Sequence, residues 1–117
     1  MPVRSLSSSV LKWPGPEEVH AAVRKWVEGL VAREGSIVRR VGYVGSYARG
    51  DWGVGSDVDL VIIVGEGDPM ELLRRWWPTD LPVPADLQVY TEESWERRMK
   101  ESAPFRRMAG EAVWLYP

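Results

Sequence analysis

A pair of aspartates at the start of an apolar run is the feature that most constrains the fold of this chain. Residues 57–59 read Asp-Val-Asp, and residues 60–64 that follow are all Leu, Val or Ile. Such a run predicts a strand that is buried on both faces. Because side chains alternate along a strand, Asp57 and Asp59 lie on the same face. Two like charges placed side by side repel, so water or a cation must reach them.

A glycine-serine pair precedes these aspartates, with ten residues between Ser46 and Asp57. Glycine allows the unusual backbone angles of a turn whose amides converge on an anion, and Ser46 adds a hydroxyl donor. Arg49, three residues further on, can return to the same side and pair with phosphate oxygens. Taken alone, Gly45-Ser46 is better explained as a tight turn with a capping serine.

A third carboxylate, Asp86, lies on the next predicted strand, after a helical crossover. Magnesium prefers one or two carboxylates, completed by water and substrate phosphates. Two such ions can stabilise the attacking and leaving oxygens of an in-line displacement. Taken singly, Asp57 and Asp59 also fit an exposed strand start, and Asp86 a polar residue near a sheet edge.

The composition limits the class of protein. A chain of 117 residues is long enough for one domain with a core. The absence of cysteine excludes thiol catalysis, disulfides and cysteine-bound zinc. No apolar run is long enough for a membrane span, and a net charge of -2 provides no general attraction to nucleic acid. We therefore expect a cytoplasmic protein with no membrane partner, and local basic patches leave nucleic-acid binding open.

Hydrophobic periodicity predicts a small mixed α/β (α+β) domain, in which a β-sheet is flanked by helices. Residues 1–15 are predicted to be an N-terminal arm, and residues 16–117 the domain. The predicted helices are 16–34, a short turn at 46–50, 69–77, and one from Thr91 that continues or restarts through 105–108. The predicted strands are 37–44, 57–64, 85–90 and 112–116.

The order of these motifs resembles the minimal nucleotidyltransferase (MNT) branch of the polymerase-beta-like nucleotidyltransferase superfamily. The resemblance spans about 37–90 and rests on Gly-Ser-Tyr-Ala-Arg-Gly-Asp at 45–51, Ser-Asp-Val-Asp-Leu-Val at 56–61, and Asp86-Leu87. It implies the nucleotidyltransferase fold. It also implies that Gly45 and Ser46 hold a nucleoside triphosphate. By the same resemblance, Asp57 and Asp59 bind two magnesium ions. Asp86 then completes the metal site and orients or deprotonates an acceptor hydroxyl.

The resemblance further implies transfer of a nucleoside monophosphate, AMP from ATP, to a hydroxyl. Small members of this family often accompany a HEPN-domain toxin, so the expected acceptor is a HEPN partner and the expected role is that of an antitoxin in a toxin–antitoxin system. One alternative is an antitoxin that neutralises its partner by binding alone. Another is transfer to a small molecule such as an antibiotic. Adjacent Trp76 and Trp77 cannot both be buried on one helix face, which leaves a partner interface or a homo-oligomer open.

Overall fold

The structure, a computed structural model, describes residues 13–117. Its helices within this range are α1 (Pro16–Glu34), α2 (Ser46–Arg49), α3 (Pro69–Arg75), α4 (Glu92–Glu101) and α5 (Ala103–Gly110). Its strands are β1 (Val38–Val44), β2 (Val58–Val64), β3 (Ala85–Thr91) and β4 (Val113–Tyr116). These bounds lie within two residues of the predicted ones, except that α4 and α5 are separate helices.

The strands form one mixed sheet in the order β3-β2-β1-β4. Strand β1 is antiparallel to both β2 and β4, whereas β2 and β3 run parallel. The parallel pair requires a crossover, and α3 supplies it between β2 and β3. This mixed sheet with helices confirms the predicted fold class.

One face of the sheet is covered by α1 and α3. Helix α1 begins with Pro16 at its first position, where the missing amide hydrogen costs nothing. Its apolar residues recur at helical spacing and join the even-numbered residues of β2 in the main core. The buried members from these two elements are Val19, Val23, Val27, Leu30, Val58, Leu60, Ile62 and Val64.

The opposite face is covered by α4 and α5. Thr91 and Ser102 cap these helices, each accepting a hydrogen bond from the backbone amide three residues on. Val61 and Ile63 of β2 face this side and pack with Trp95 in a second, aromatic-rich core. Each face of β2 is therefore covered, which explains why its sequence is a continuous apolar run instead of an alternating one.

The predicted N-terminal arm falls mostly on residues 1–12, which lie outside the described residues. Of the rest, Trp13 packs against the main core, and the hydroxyl of Tyr47 donates a hydrogen bond to the Pro14 carbonyl. His20 bonds to the Tyr43 hydroxyl at 2.9 Å, so it links α1 to β1 instead of being a solvated or capping residue. No helix in residues 13–117 combines the length and apolar character needed to cross a membrane.

Candidate active site

A glycine turn connects the end of β1 to α2. Gly45 has a φ of +82° and a ψ of -157°, a region of backbone space that is essentially restricted to glycine. Its carbonyl accepts a hydrogen bond from the Arg49 amide at 2.9 Å, which closes the single turn of α2. Ser46, the half-buried first residue of α2, therefore lies directly at the end of β1.

The sheet places two of the three predicted carboxylates side by side. Val44, the last residue of β1, pairs with Asp59 of β2, and Asp59 pairs with Asp86 of β3. The antiparallel β1–β2 pair brings the end of β1 to the start of β2, and the parallel β2–β3 pair puts both strand starts at the same edge. The glycine turn, Asp59 and Asp86 thus meet at one edge of the sheet, which we call the carboxylate edge.

Gly45 and Asp59 are in close contact across this edge. A Cβ atom at position 45 would overlap Oδ2 of Asp59, and its next nearest neighbours would also be side-chain atoms of Asp59. The Asp59 carboxylate can therefore occupy this position only because residue 45 has no side chain. This contact explains why a glycine stands beside the aspartate.

Asp59 lies in an electrostatically unfavourable position. Burial raises the pKa of its carboxyl, and the negative charges of Asp86 and Asp57 raise the pKa further, while Arg49 opposes them. Asp57 lies just before the first residue of β2 and is exposed, as is Asp86. Asp57 and Asp86 thus both lie close enough to Asp59 to disfavour its ionised form.

The donor chemistry of this edge fits magnesium. The carboxylates supply hard oxygen ligands, and a cation would relieve the repulsion that raises the pKa of Asp59. In residues 13–117, no group of three aspartate, glutamate or histidine side chains is positioned to hold a metal ion. The fit is therefore to a cation bound by one or two carboxylates together with oxygens of a substrate phosphate, as is usual for magnesium.

Arg49 approaches the carboxylate edge from α2. Its Nε lies 3.1 Å from Oδ2 of Asp51 and 3.8 Å from Oε2 of Glu111, and the hydrogen bond to Asp51 raises the pKa of Arg49. Both ion pairs are exposed, so each contributes little to stability. Arg49 is thus held at the edge by contacts that a phosphate could replace at small cost.

A cavity of about 400 Å³ opens beside this edge. Gly45, Arg49, Asp59 and Asp86 line one end. The remaining wall comes from β3 and from the end of α5, and its members include Gln88, Tyr90, Pro104, Arg107, Met108 and Glu111. The cavity is large enough for a small organic ligand, and it has charged groups at one end and apolar ones along its side.

The family is decided by a match over most of the chain. The profile of the nucleotidyltransferase domain family matches residues 23–107, which contain the glycine turn and all three aspartates. The chain belongs to this family. The resemblance to a minimal nucleotidyltransferase of the polymerase-beta-like superfamily is thereby confirmed.

A solved structure supports the fold of this nucleotidyltransferase domain. The crystal structure of a "putative nucleotidyltransferase" from Sulfolobus solfataricus, at 1.40 Å resolution, matches with a TM-score of 0.55 and 22% sequence identity. The match covers 70% of this chain and 75% of the other. Among curated proteins, none matches this sequence.

The structure brings Gly45, Arg49, Asp59 and Asp86 to one cavity, with Ser46 and Asp57 next to them in the chain. The sequence analysis missed the cavity wall from α5, because Arg107 reads as an ordinary solvated residue when taken alone. A signal was present, since Arg107 and Glu111 are four residues apart, a spacing that places both on one side of a helix end. On β3, the alternation of Asp86, Gln88 and Tyr90 already indicated one shared face.

Proposed function

We propose that this nucleotidyltransferase domain transfers AMP from ATP to a hydroxyl of a partner protein, with magnesium as cofactor. In this proposal, Asp57, Asp59 and Asp86 form the catalytic and metal-binding set. Gly45, Ser46 and Arg49 bind the nucleotide. The partner is a HEPN-domain toxin, and this chain acts as its antitoxin.

One observation carries the proposal: Asp59 and Asp86 are paired on parallel strands beside a glycine turn and open into the same cavity. An anion-binding turn and a pair of oxygen donors are the two parts that a phosphoryl-transfer centre needs. Burial and then the charges of Asp86 and Asp57 raise the pKa of Asp59, so its ionised carboxylate is costly in the folded protein. Groups that cost stability when unliganded are characteristic of functional sites.

The proposed reaction assigns a role to each residue. The backbone amides after Gly45 and the Ser46 hydroxyl bind triphosphate oxygens, and Arg49 exchanges its exposed carboxylate partners for phosphate. The acceptor oxygen attacks the α-phosphorus while the bond to the β-phosphate oxygen breaks and pyrophosphate leaves. Asp86, which is exposed at the sheet edge, accepts the proton from the acceptor hydroxyl.

Asp57, Asp59 and Asp86 would together hold the magnesium ions through their carboxylate oxygens, with one or two of these carboxylates on each ion. When bound, magnesium would offset the repulsion among these carboxylates and the charge that develops on the transferred phosphoryl group. Two ions are expected, by analogy with the family. The remaining oxygen ligands of the magnesium ions would come from the substrate and from water.

The size of the cavity bears on the kind of acceptor. The cavity at the carboxylate edge, about 400 Å³, is of a size for one small-molecule ligand, which we assign to the nucleotide. An acceptor held by another protein brings its own surface for binding. This argument favours a protein acceptor over an antibiotic.

The proposal is tested by incubating the protein with ATP labelled at the α-phosphate, magnesium and a purified HEPN-domain partner. We expect label on the partner, and we expect Asp57→Ala/Asp59→Ala to abolish it. The control is Glu28→Ala/Glu66→Ala, which removes two exposed carboxylates away from this edge and should leave transfer unchanged. Transfer that survives the aspartate substitutions would contradict the site assignment.

The same experiment separates the alternatives. If the wild type transfers no label but both it and the aspartate variant neutralise the partner, the chain is a binding antitoxin. If label appears on an aminoglycoside and not on the protein, the acceptor is a small molecule.

A further inference from the structure

The end of α3 buries one tryptophan and exposes the next. Trp76 is 4% exposed, and its indole Nε1 donates a hydrogen bond of 3.3 Å to Oε1 of Glu34 on α1. Arg75 pairs with the same glutamate. Trp77, which follows the C-cap residue Trp76 and lies outside the helix, is 45% exposed. Large exposed aromatic surface is a mark of interaction sites.

Two cavities meet at Trp77. One, of about 420 Å³, lies between α1 and the segment after α3. The other, of about 440 Å³, follows that segment to Ala85. Trp77, Pro78, Thr79 and Leu81 line both cavities, so the two form a continuous depression, which we call the Trp77 groove. The groove ends at Ala85, which precedes Asp86 in the chain but faces the main-core side of β3, opposite to the side on which Asp86 lines the cavity.

The groove is stiffened by its sequence. Pro78, Pro82 and Pro84 each fix one backbone angle in the segment that forms its floor. The Pro84 carbonyl also accepts a hydrogen bond of 3.0 Å from the Val58 amide, which attaches the segment to β2. A preformed surface binds a partner with a smaller loss of conformational entropy.

The walls of the groove are positively charged. Lys25, Arg33 and Arg75 line it, against one carboxylate, Asp80. Within residues 13–117, Arg75 is paired with Glu34, whereas Lys25 and Arg33 form no ion pair. This local surplus of positive charge stands out in a chain with a net charge of -2. It favours a ligand that carries carboxylates.

We infer that the Trp77 groove binds an acidic segment of the protein acceptor, with an apolar side chain of that segment packed on Trp77. The role of acceptor rests on the proposed function, whereas the docking itself does not. The groove ends at Ala85, the first residue of β3, and the cavity of the carboxylate edge lies on the other face of that strand. The acceptor segment therefore binds on one surface, and AMP transfer takes place on a separate one.

The positive charge of the groove favours an acidic segment over the other possible ligands. A second copy of the chain, docked by the same surface, would place Lys25 and Arg33 against their own like charges. Residues 1–12 contain Arg4 and Lys12 and no acidic residue, so they are repelled as well. A nucleic acid would meet only a few cations on a protein that is negative overall.

The test uses a random library of twelve-residue peptides displayed on phage and selected on the wild-type protein without nucleotide. We expect the enriched peptides to combine aspartate or glutamate with aromatic or aliphatic residues. Synthetic fluorescein-labelled copies are then measured by fluorescence anisotropy. Trp77→Ala, an exposed substitution, should weaken their binding about tenfold or more. Lys25→Glu/Arg33→Glu should weaken it to a similar extent.

The matched control is Arg24→Glu, which reverses an exposed charge next to Lys25 on α1 but does not line the groove. It should leave binding unchanged, and circular dichroism should show all variants folded. The inference is overturned if the enriched peptides lack acidic residues, or if they bind Trp77→Ala as tightly as the wild type. Three further results would also overturn it. A twelve-nucleotide oligothymidine could displace the peptides, or sedimentation could show a wild-type dimer that Trp77→Ala abolishes. Finally, the peptides could bind only after residues 1–12 are deleted.

Asp59→Asn separates this inference from the proposed function. It should bind the peptides as the wild type does, because Asp59 lies outside the groove. Failure of AMP transfer would leave the peptide result intact, and failure of peptide binding would leave the transfer result intact.

Discussion

Gly45 meets two separate requirements of the candidate site. Its φ of +82° and ψ of -157° are strained for any residue with a side chain, and its missing Cβ makes room for the Asp59 carboxylate. Gly50 shares only the first requirement, because it has a φ of +89° but nothing within 4 Å of the position a Cβ would take. Substitutions at the two glycines therefore distinguish the cost of backbone strain from the cost of overlap with the Asp59 side chain.

We expect Gly45→Ala to destabilise the protein more than Gly50→Ala does. A left-handed alanine costs about 1–2 kcal/mol, which is the expected loss at Gly50. At Gly45 the loss should be larger, about 3 kcal/mol or more, since overlap with Asp59 adds to the strain. Urea unfolding followed by tryptophan fluorescence measures both, and combining Gly45→Ala with Asp59→Ala should recover part of the difference. Equal losses of stability at the two glycines would show that overlap with Asp59 does not add to the destabilisation.

Asp59→Asn is expected to lower transfer while raising stability. Loss of a metal-binding carboxylate should slow transfer about 100-fold or more. The pKa of Asp59 is raised in the folded protein, so the folded state binds the proton more tightly and is penalised once pH rises above that pKa. In metal-free buffer at pH 7, the variant should therefore have a higher Tm than the wild type, and the gap should narrow as pH falls. A lower Tm for the variant at pH 7 would mean that Asp59 stabilises the fold.

Helix α5 matters at the scale of elements, because residues near both of its ends form one wall of the candidate active-site cavity. The helix is short, and its start is secured by the Ser102 side chain, which accepts a hydrogen bond of 3.1 Å from the Phe105 amide. Arg106 further ties it to α4 by donating to the Met99 and Lys100 carbonyls. The cavity wall therefore depends on a capped junction between two helices.

Ser102→Ala should destabilise the protein by about 1 kcal/mol, whereas Ser102→Gly should cost only a few tenths, because glycine is tolerated at this position. Urea unfolding measures both losses. Since α5 carries Arg107 and Met108 into the cavity, the alanine variant should also bind nucleotide more weakly. If Ser102→Ala left the free energy of unfolding unchanged, the hydrogen bond from the Phe105 amide would not stabilise the protein.

At the scale of the molecule, one sheet separates two cores, and the carboxylate edge lies on the side covered by α4 and α5. Val61 packs in the second core, and Asp59 faces the same side because it is two residues away on β2. The main core, with α1, lies behind the sheet, and of its described residues only Leu60 also lines the charged cavity. Ligand binding in the cavity can therefore change the free energy of unfolding without disturbing the larger core.

Magnesium and ATP together should raise the Tm of the wild type, because a ligand that binds only the folded state stabilises it. At a ligand concentration 100 times its Kd, the gain is about 2.7 kcal/mol. Removing the metal with EDTA should abolish most of the gain, and Asp57→Ala/Asp59→Ala should show little gain at all. Thermal unfolding with and without EDTA measures these effects. A gain that is insensitive to EDTA would mean that the nucleotide binds without magnesium.

Patterns between near neighbours in the chain were sufficient to predict the elements. Period-2 alternation located β3, the apolar run located β2, and Pro16 and Gly35 marked the two ends of α1. The glycine turn and the common edge of Asp59 and Asp86 were also predictable, because a helical crossover implies parallel strands. The break between α4 and α5 was left open, since Ser102 fits a helix as well as a cap.

The sequence by itself determined the family, the strands that carry the aspartates and the turn in front of them, because each depends on residues close together in the chain. Only the tertiary structure decided that Asp59 fits against Gly45, that Glu111 reaches Arg49, and that α5 closes the cavity. It also decided which of Trp76 and Trp77 is exposed, through a hydrogen bond to Glu34 more than forty residues away in the chain. These contacts depend on how the helices pack on the sheet, and packing joins residues whose separation along the chain has no fixed period.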